Sequence, residues 1–194
     1  MEFMATVPDK YFDLAIVDPP YGININPNMG LRKGLHKRHK LIKWDDHIPT
    51  EECFNELFRI SKDQIIWGGQ YFKLPPYYHF IFWDKLNPDG LSFSDGELAW
   101  TSFNKANRKY VKRNNYDGKI HPTEKHIDLY KWLLKNYAKP EYKIFDSHLG
   151  SASSAIAAYD FGIAEFVGTE IDKDYFDAAV KRFENHKLQQ TIKL

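Results

Sequence analysis

The stretch Asp13-Leu-Ala-Ile-Val-Asp-Pro-Pro-Tyr-Gly22 combines a short apolar run with an abrupt turn. Four consecutive apolar residues, 14–17, indicate a strand that is buried on both faces, predicted over Asp13–Val17. The two prolines that follow lock the turn and leave the carbonyl of Pro19 without a local helical donor. Asp18 is then expected at the carboxyl end of a strand, where ligands bind in open α/β sheets. Two acceptors and the flat ring of Tyr21 suit a planar base that carries an amino group.

Apolar runs alternate with helical periodicity along the rest of the chain, which is typical of an α/β sheet. The further predicted strands are Gln64–Trp67, His79–Trp83, Glu97–Thr101, Lys143–Phe145 and Glu165–Gly168. The predicted helices are Thr123–Tyr137, Ala152–Phe161 with Gly162 as its cap, and Lys173–Leu188 with Asp172 as its cap. The chain has no internal repeat, low-complexity tract or linker, so we expect a single domain over residues 1–194.

Composition excludes several classes of protein. The 194 residues are 43% hydrophobic and 27% charged, as in an ordinary globular domain. No run approaches the roughly 20 apolar residues of a membrane span, and residues 1–13 lack the apolar region of a signal peptide. A single cysteine, Cys53, excludes an internal disulfide and a multi-cysteine metal site. We therefore expect no metal and a cytoplasmic protein.

Positive charge is concentrated in two segments although the formal net charge is only +1. The first basic segment, Leu31–Trp44, contains Arg32, Lys33, Lys37, Arg38, Lys40 and Lys43 and no acid. The second basic segment, Ser102–Tyr116, contains Lys105, Arg108, Lys109, Lys112 and Arg113 and no acid. Both fall in stretches without clean periodicity, 22–50 and 102–120, which we expect to be loops. Such segments are candidate phosphate contacts, and solvated loops are the alternative.

A second motif, Lys143–Ser153, has the pattern of a strand, a turn of small residues and a helix. Small residues let the backbone approach a ligand, and the free N–H groups at a helix start favour an anionic group. Glu170 and Asp172 follow the next predicted strand, where an acid can hold ribose hydroxyls. Either acid can instead cap the following helix.

A third motif, His121-Pro-Thr-Glu-Lys125, precedes a predicted helix. Thr123 has the side chain of a helix cap, while Thr123 and Lys125 together could bind a carboxylate. The residues alone leave both interpretations open.

Taken in order, these motifs resemble those of the beta-class, circularly permuted DNA amino-methyltransferases that use S-adenosylmethionine (AdoMet). Asp18, Pro19, Pro20 and Tyr21 match the catalytic motif, and Phe145–Ser153 resembles the AdoMet motif. Segments such as Trp67–Phe72 and Ser94–Phe103 are similar to those of phage and restriction-type adenine enzymes. The resemblance implies a Rossmann-like class I methyltransferase fold, with a mostly parallel sheet and helices on both faces.

The resemblance also implies a function. Asp18 and the Pro19 carbonyl would hold the 6-amino group of a flipped adenine in double-stranded DNA, with Tyr21 stacked on the base. The implied AdoMet ligands are His121, Thr123, Lys125, Asp146, Ser147, Gly150, Ser151, Glu170 and Asp172. The predicted DNA contacts are Arg32, Lys33, Lys37, Arg38, Lys40, Arg108, Lys109, Lys112 and Arg113. Residues 1–120 would form the catalytic half and 121–194 the AdoMet-binding half, in a bacterial or phage-infected cell. A homodimer and a partner restriction endonuclease stay open.

The chain departs from the family pattern at three places. Ser147-His148 replaces the common Pro-Phe, His126 stands where proline is usual, and Ala152 replaces a glycine. Loss of that glycine would crowd the cofactor if residue 152 requires a positive φ, although alanine is the smallest replacement.

Other functions fit the motifs less well. Methylation of the 4-amino group of cytosine needs the same geometry, although aspartate at the head of the motif favours adenine. RNA or a protein glutamine is a second alternative substrate, and the motif order opposes the glutamine enzymes. A DNA-binding relative without catalysis is a third alternative, which AdoMet binding would distinguish. The absence of a phosphate-binding Gly-x-x-x-x-Gly-Lys-Ser/Thr loop opposes a nucleotide hydrolase.

Overall fold

The computed structural model describes residues 1–23, 48–76, 78–88, 94–114 and 124–191. Within these ranges seven strands form one sheet: β1 Phe12–Val17, β2 Ser61–Trp67, β3 His79–Asp84, β4 Gly96–Thr101, β5 Arg108–Val111, β6 Lys143–Asp146 and β7 Glu165–Gly168. The helices are α1 Glu2–Ala5, α2 Glu51–Ile60, α3 Ile127–Tyr137, α4 Ser153–Phe161 and α5 Lys173–Thr191, with a 3-10 turn at Gly69–Tyr71. None of these helices has the length and apolarity that crossing a bilayer demands.

The strands lie in the order β5-β3-β4-β2-β1-β6-β7, and β4 alone among the seven runs antiparallel to its neighbours. The central strand β1 pairs in parallel with β2 on one side and with β6 on the other. The ends of the parallel strands therefore meet at one edge of the sheet, which we call the carboxyl edge. Because β4 runs in the opposite direction, its first residues lie at this same edge.

Helices cover both faces of the sheet, as the resemblance implies. Leu14 and Ile16 of β1 belong to a core that includes Leu133 of α3 and Ala157 of α4. On the other face, residues of β1 pack with α1 and α2. Leu14 and Ile16 are at most 2% exposed, and burying such a side chain stabilises the fold by about 1.5–3 kcal/mol. The alternation along β1 thus fixes two helical layers around the strand that carries Asp18.

The sequence predicts six of the seven strands to within three residues, but its prediction of a loop over 102–120 is wrong for β5. Arg108, Lys109 and Val111 are exposed on this strand. An edge strand with solvent on one side has no need of an apolar pattern, and β5 owes its conformation to parallel pairing with β3. Among the described strands none pairs with its other side, so polar residues are tolerated there.

Two helix starts differ from their predicted positions. Helix α3 begins at Ile127 with His126 at its N-cap, so the predicted start at Thr123 is wrong. Glu124 and Lys125 are held in a non-helical segment because their buried side chains form ion pairs with other parts of the chain. Helix α4 begins one residue later than predicted, with Ala152 as its N-cap. The predicted caps at Gly162 and Asp172 are confirmed.

Candidate active site

Asp18 directly follows β1 at the carboxyl edge, and its side chain is 17% exposed. Its Oδ1 atom lies 2.5 Å from the Nζ of Lys125 and accepts a hydrogen bond of 2.8 Å from the Tyr21 hydroxyl. Its Oδ2 atom has no hydrogen-bond partner among the described residues. Pro19 is buried and Pro20 half-buried, so the turn is fixed by packing as well as by its rings. The carboxylate is thus held through one oxygen and keeps the other as an acceptor for a ligand.

Lys125 lies just before α3, and only 3% of its side chain is exposed. Besides Asp18, its ammonium contacts Oε2 of Glu97 at 2.9 Å and lies 5.2 Å above the ring of Trp67. A buried ammonium needs such partners because an unpaired charge in the interior costs several kcal/mol. Its motif in the sequence predicts Lys125 as an AdoMet ligand. In the structure its charge is engaged by the motif carboxylate, and its role toward the cofactor stays a prediction.

Glu97 and Lys85, neither of which the sequence predicts as a site residue, complete a cluster of four charges with Asp18 and Lys125. Glu97 lies near the start of β4, and the antiparallel direction of that strand brings it to the carboxyl edge. Its Oε1 atom accepts a short hydrogen bond from Lys85, which follows β3. The side chains of Glu97 and Lys85 are 21% and 16% exposed. The direction of β4 could have revealed Glu97, because an acid at the start of an antiparallel strand lies at the same edge as the ends of the parallel strands.

The two carboxylates of this cluster differ in protonation behaviour. Burial raises the pKa of Asp18, and the charge of Glu97 raises it further, although Lys125 opposes both effects. Burial also raises the pKa of Glu97, but the ammonium groups of Lys125 and Lys85 outweigh it and hold that pKa at about 2. For Lys125, burial lowers the pKa but the two carboxylates outweigh it, so the pKa is raised. Glu97 is therefore ionised near neutral pH, and Asp18 is the carboxylate closer to protonation.

Tyr21 is seated on the Gly68-Gly69 turn that follows β2. A Cβ added to Gly68 would lie 2.2–2.7 Å from three adjacent ring carbons of Tyr21, the geometry of a group above the ring face. Gly68 also has φ +69°, a conformation that other residues rarely adopt. The Tyr21 ring stacks on Tyr71 with centroids 5.2 Å apart and an interplanar angle of 18°. Burial raises the pKa of Tyr21 far above its ordinary value, so its hydroxyl remains a donor to Asp18.

The predicted AdoMet turn begins at Asp146, the last residue of β6, next to the end of β1. Oδ1 of Asp146 accepts the backbone N–H of His148 at 3.0 Å, and Oδ2 accepts the Ser154 hydroxyl at 2.6 Å. Burial raises the pKa of Asp146 to about 7, against these hydrogen bonds. The Ser147 hydroxyl lies 2.8 Å from Nδ1 of His148, and burial lowers the pKa of that histidine to about 4. The turn is therefore lined by a carboxyl group that titrates near neutrality and by a neutral imidazole.

The backbone of this turn adopts left-handed conformations. Gly150 has φ +52°, and among the described residues a Cβ added there would meet only the His148 carbonyl, at 3.8 Å. Ala152 has φ +62°, so alanine stands at a position that favours glycine, as the departure from the family pattern indicated. Space above Gly150 is thus open to a ligand.

Glu170 and the arginine of α5 tie the turn to its neighbours. Glu170 accepts the backbone N–H groups of Gly150 at 2.8 Å and of Asp172 at 3.0 Å. Arg182 donates to the Ser151 carbonyl at 2.8 Å, and it pairs with the fully buried carboxylate of Glu124 at 2.7 Å. Arg182, absent from the sequence-based set, connects the segment before α3 to the turn.

These residues fit AdoMet by their chemistry. An acid follows β7 and a left-handed glycine follows β6, so both lie at the carboxyl edge, and β6 is the neighbour of the strand that Asp18 follows. Ile171, directly after Glu170, is fully exposed and offers an apolar surface to a planar ring. Within the described ranges no group of three His, Cys, Asp or Glu side chains could hold a metal.

The other predicted residues divide into two groups. His121 and Thr123, and the basic residues Arg32, Lys33, Lys37, Arg38 and Lys40, lie outside the described residues. Arg108 and Lys109 lie on β5, and Lys112 and Arg113 follow it. Lys109 pairs with Asp84 at 3.3 Å, and Lys112 pairs with Asp128 at the start of α3. His126 contacts the Arg113 carbonyl through Nε2 at 2.7 Å, so the histidine that replaces proline anchors this segment.

Comparison with known proteins agrees with the motifs. A family model for DNA methylases of the N6/N4 type matches residues 66–181. The type II methyltransferase M2.MboI of Moraxella bovis is 23% identical over 164 residues, which are 84% of this chain and 55% of that protein. This chain therefore spans about half the length of that relative.

Solved structures agree with the fold. The M1.HpyAVI–SAM complex has a TM-score of 0.58 and 21% identity, covering 93% of this chain and 92% of that one. The PvuII DNA methyltransferase, which is cytosine-N4-specific, has a TM-score of 0.61 and 12% identity, covering 94% and 83%. These likenesses and the sheet confirm the predicted Rossmann-like methyltransferase fold.

Proposed function

Because the chain belongs to the N6/N4-type family of DNA methylases, we propose that it transfers a methyl group from AdoMet to an amino nitrogen of a DNA base. The observation that carries this proposal is the open Oδ2 of Asp18, one strand away from the Asp146 turn. The amino group of a base and a bound cofactor can meet there, because the two strand ends are adjacent. We propose further that the acceptor is the 6-amino group of adenine.

The chain's own groups explain how the amine becomes reactive. Its lone pair is delocalised into the ring, so it is a poor nucleophile. Oδ2 of Asp18 and the Pro19 carbonyl would accept its two N–H bonds and stabilise the positive charge that develops on the nitrogen. Since burial raises the pKa of Asp18, this carboxylate is suited to receive the proton that the methylated nitrogen loses.

AdoMet, when bound, supplies an electrophilic methyl group on its sulfonium. The residues proposed to hold it are Asp146, Ser147, Gly150, Ser151, Glu170 and Asp172 from the described ranges, with Lys125, His121 and Thr123 from the third motif. Asp172 already caps α5 through Oδ1, so its contribution would be indirect. Holding the methyl and the amine at fixed positions would supply much of the remaining acceleration.

A base has to leave the duplex to reach Asp18, and aromatic rings can compensate for the lost stacking. Tyr21 is proposed for this contact. Its ring lies against Gly68 and Tyr71, and Tyr71 is 42% exposed and extends the aromatic surface toward solvent.

Duplex DNA is the proposed partner, bound through the two basic segments. Val111 pairs with Asp84 near the carboxyl edge, whereas Arg108 pairs with Ile81 farther from it. Lys112 and Arg113 follow toward the side of Asp18, which makes them better placed to contact phosphates near a flipped base than Arg108. A homodimer and a restriction endonuclease partner remain compatible with this proposal.

Aspartate at the head of the motif favours adenine, and cytosine N4 is the alternative base. The test is to express the chain in a host without DNA methyltransferases and to analyse the nucleosides of its DNA by mass spectrometry. N6-methyladenine is expected, and its loss in Asp18→Ala with retained AdoMet binding would link it to this site. N4-methylcytosine would overturn the adenine assignment alone. If neither methylated base is found although the chain binds AdoMet, the proposed activity is contradicted.

A further inference from the structure

We propose that Glu97 is a positioning residue for methyl transfer. It balances the charge of Lys125, so that Asp18 can stabilise the positive charge that develops on the amine nitrogen. The inference rests on the proposed function and goes beyond the catalytic motif, because Glu97 lies on a different strand. It starts from the finding that one ammonium bridges two carboxylates, at 2.5 Å from Asp18 and 2.9 Å from Glu97.

The charge count gives the physical reason. Lys125 would repel the positive charge that builds up on an amine nitrogen bound to Asp18. Glu97 offsets this repulsion, and with Lys85 the four groups sum to zero net charge. Removing the charge of Glu97 leaves the cluster at +1 directly beside the reacting nitrogen. In a mostly buried site such an imbalance is weakly screened.

Glu97 also constrains the geometry of Asp18. Its Oε2 lies 3.3 Å from the Tyr21 hydroxyl, which donates to Oδ1 of Asp18 at 2.8 Å. The Lys125 ammonium is itself 3.3 Å from that hydroxyl. Oδ1 is thus fixed by two donors, Tyr21 and Lys125, and Glu97 holds the second of them through its ion pair, which leaves Oδ2 for the substrate.

Other ionisable groups face the same cluster. Tyr130 of α3 and Asp146 of β6 interact electrostatically with Asp18, in addition to the groups already described. Among all of these, Glu97 is the carboxylate that raises the pKa of Asp18 from within the ion-pair cluster. Its loss therefore has a signature in the pH dependence of transfer.

The test compares Glu97→Gln with wild type in single-turnover methyl transfer to substrate DNA. We expect a fall of about 10²-fold in the rate, comparable to removal of one preorganised electrostatic group, with AdoMet affinity within about twofold. The acid limb of the pH–rate profile should move to lower pH, because the pKa of Asp18 falls when its negative neighbour is removed. Glu97→Asp keeps the charge and should retain the acid limb of wild type.

A double variant separates charge balance from structure. Glu97→Gln with Lys85→Met restores zero net charge and should transfer about tenfold faster than Glu97→Gln alone. Glu51→Gln, which breaks the exposed pair with Lys73, is the matched control and should leave the rate unchanged.

Three results would overturn the proposal. The first is a wild-type transfer rate in Glu97→Gln, and the second is a lower rate without any shift of the acid limb. The third is a rate in the double variant that equals the product of the losses in the two single variants. Failure of all Glu97 variants to fold would assign the residue a structural role and overturn it as well. If wild type methylates no DNA, the proposed function fails separately. The titration of the Asp18 carboxyl by ¹³C NMR, with and without Glu97, then still decides the electrostatic coupling.

Discussion

Lys125 and Asp18 form an ion pair of 2.5 Å in which the lysine side chain is 3% exposed and the aspartate 17%. The pair connects the segment before α3 to the end of β1, and so joins the third motif of the sequence to the first. The two possible roles of Lys125 can be distinguished by removing its ammonium. If Lys125 is a cofactor ligand, AdoMet affinity falls. If it is a partner of Asp18, the transfer rate and its pH dependence change instead.

We expect Lys125→Met to lower the rate of methyl transfer by at least tenfold while the dissociation constant for AdoMet changes little. Without the ammonium, the pKa of Asp18 rises further, so the acid limb of the pH–rate profile should move to higher pH. Stability should fall by about 3–5 kcal/mol, because two carboxylates lose a buried partner. Calorimetric titration with AdoMet checks the point, and a large loss of AdoMet affinity would support the cofactor role instead.

Gly68→Ala should displace Tyr21. The new methyl group would lie 2.2 Å from Cε1 of that ring, and the backbone there has φ +69°. Gly162→Ala is a matched control, since Gly162 has φ +78° and no heavy atom of the described residues lies within 4 Å of the added methyl. Both variants should lose about 1–2 kcal/mol from the left-handed backbone, and Gly68→Ala should lose about 1–3 kcal/mol more from the clash. Urea unfolding measures the loss of stability in both variants. Equal losses would show that the Tyr21 ring moves away from residue 68 at no cost.

Ala152→Gly should stabilise the protein by about 1 kcal/mol, because alanine at φ +62° carries a steric cost that glycine avoids. Ala155→Gly, inside α4, should destabilise it by about the same amount, since glycine is a poor helix former. Urea unfolding of the two variants should therefore give shifts of opposite sign. A loss of stability in Ala152→Gly would contradict the strain at this turn.

The sequence predicts most of the fold and identifies Asp18, Tyr21 and Lys125 as candidate site residues, but it does not predict the cluster around Asp18. Strands such as β1 are visible because burial on both faces demands an apolar run. Strand β5 is not visible in the sequence, because pairing at the edge of the sheet does not require apolar side chains. Glu97 is missed for a related reason: a local pattern shows a strand, whereas the antiparallel direction of β4 is set by its neighbours. Lys125 is recognised from its motif, yet its partner is determined by the three-dimensional packing of α3.

Arg113 and Arg108 should differ in their effect on DNA binding. Arg113→Ala should reduce the slope of log affinity against log salt by about one, as expected for one lost phosphate contact. Arg108→Ala should leave the slope unchanged, because Arg108 lies beside Ile81, about 10 Å along the strand from the residue paired with Asp84. Fluorescence anisotropy with duplex DNA at several salt concentrations provides the slopes. Equal slopes for the two variants would remove the distinction between the two ends of β5.

Asp146 should make both stability and AdoMet affinity depend on pH. Burial raises its pKa to about 7, whereas in the unfolded chain it is about 3.9. The folded protein therefore holds an extra proton between these values, and the contribution of Asp146 to stability is lost as pH rises through about 7. Relative to wild type, Asp146→Asn should gain stability between pH 5 and 7, by at most about 1.4 kcal/mol per pH unit, and no further above pH 8. Urea unfolding at each pH measures the difference.

The same titration couples to the cofactor if AdoMet binds beside this carboxyl. AdoMet carries a sulfonium and an ammonium group, so it favours the ionised form of Asp146, and its affinity should rise with pH up to about 7 and then level off. Calorimetry in buffers of different ionisation enthalpy should detect release of a fraction of a proton on binding, and Asp146→Asn should abolish that release. A pH-independent affinity in wild type, together with a pH-dependent stability difference, would mean that Asp146 titrates in the fold but does not face the bound cofactor.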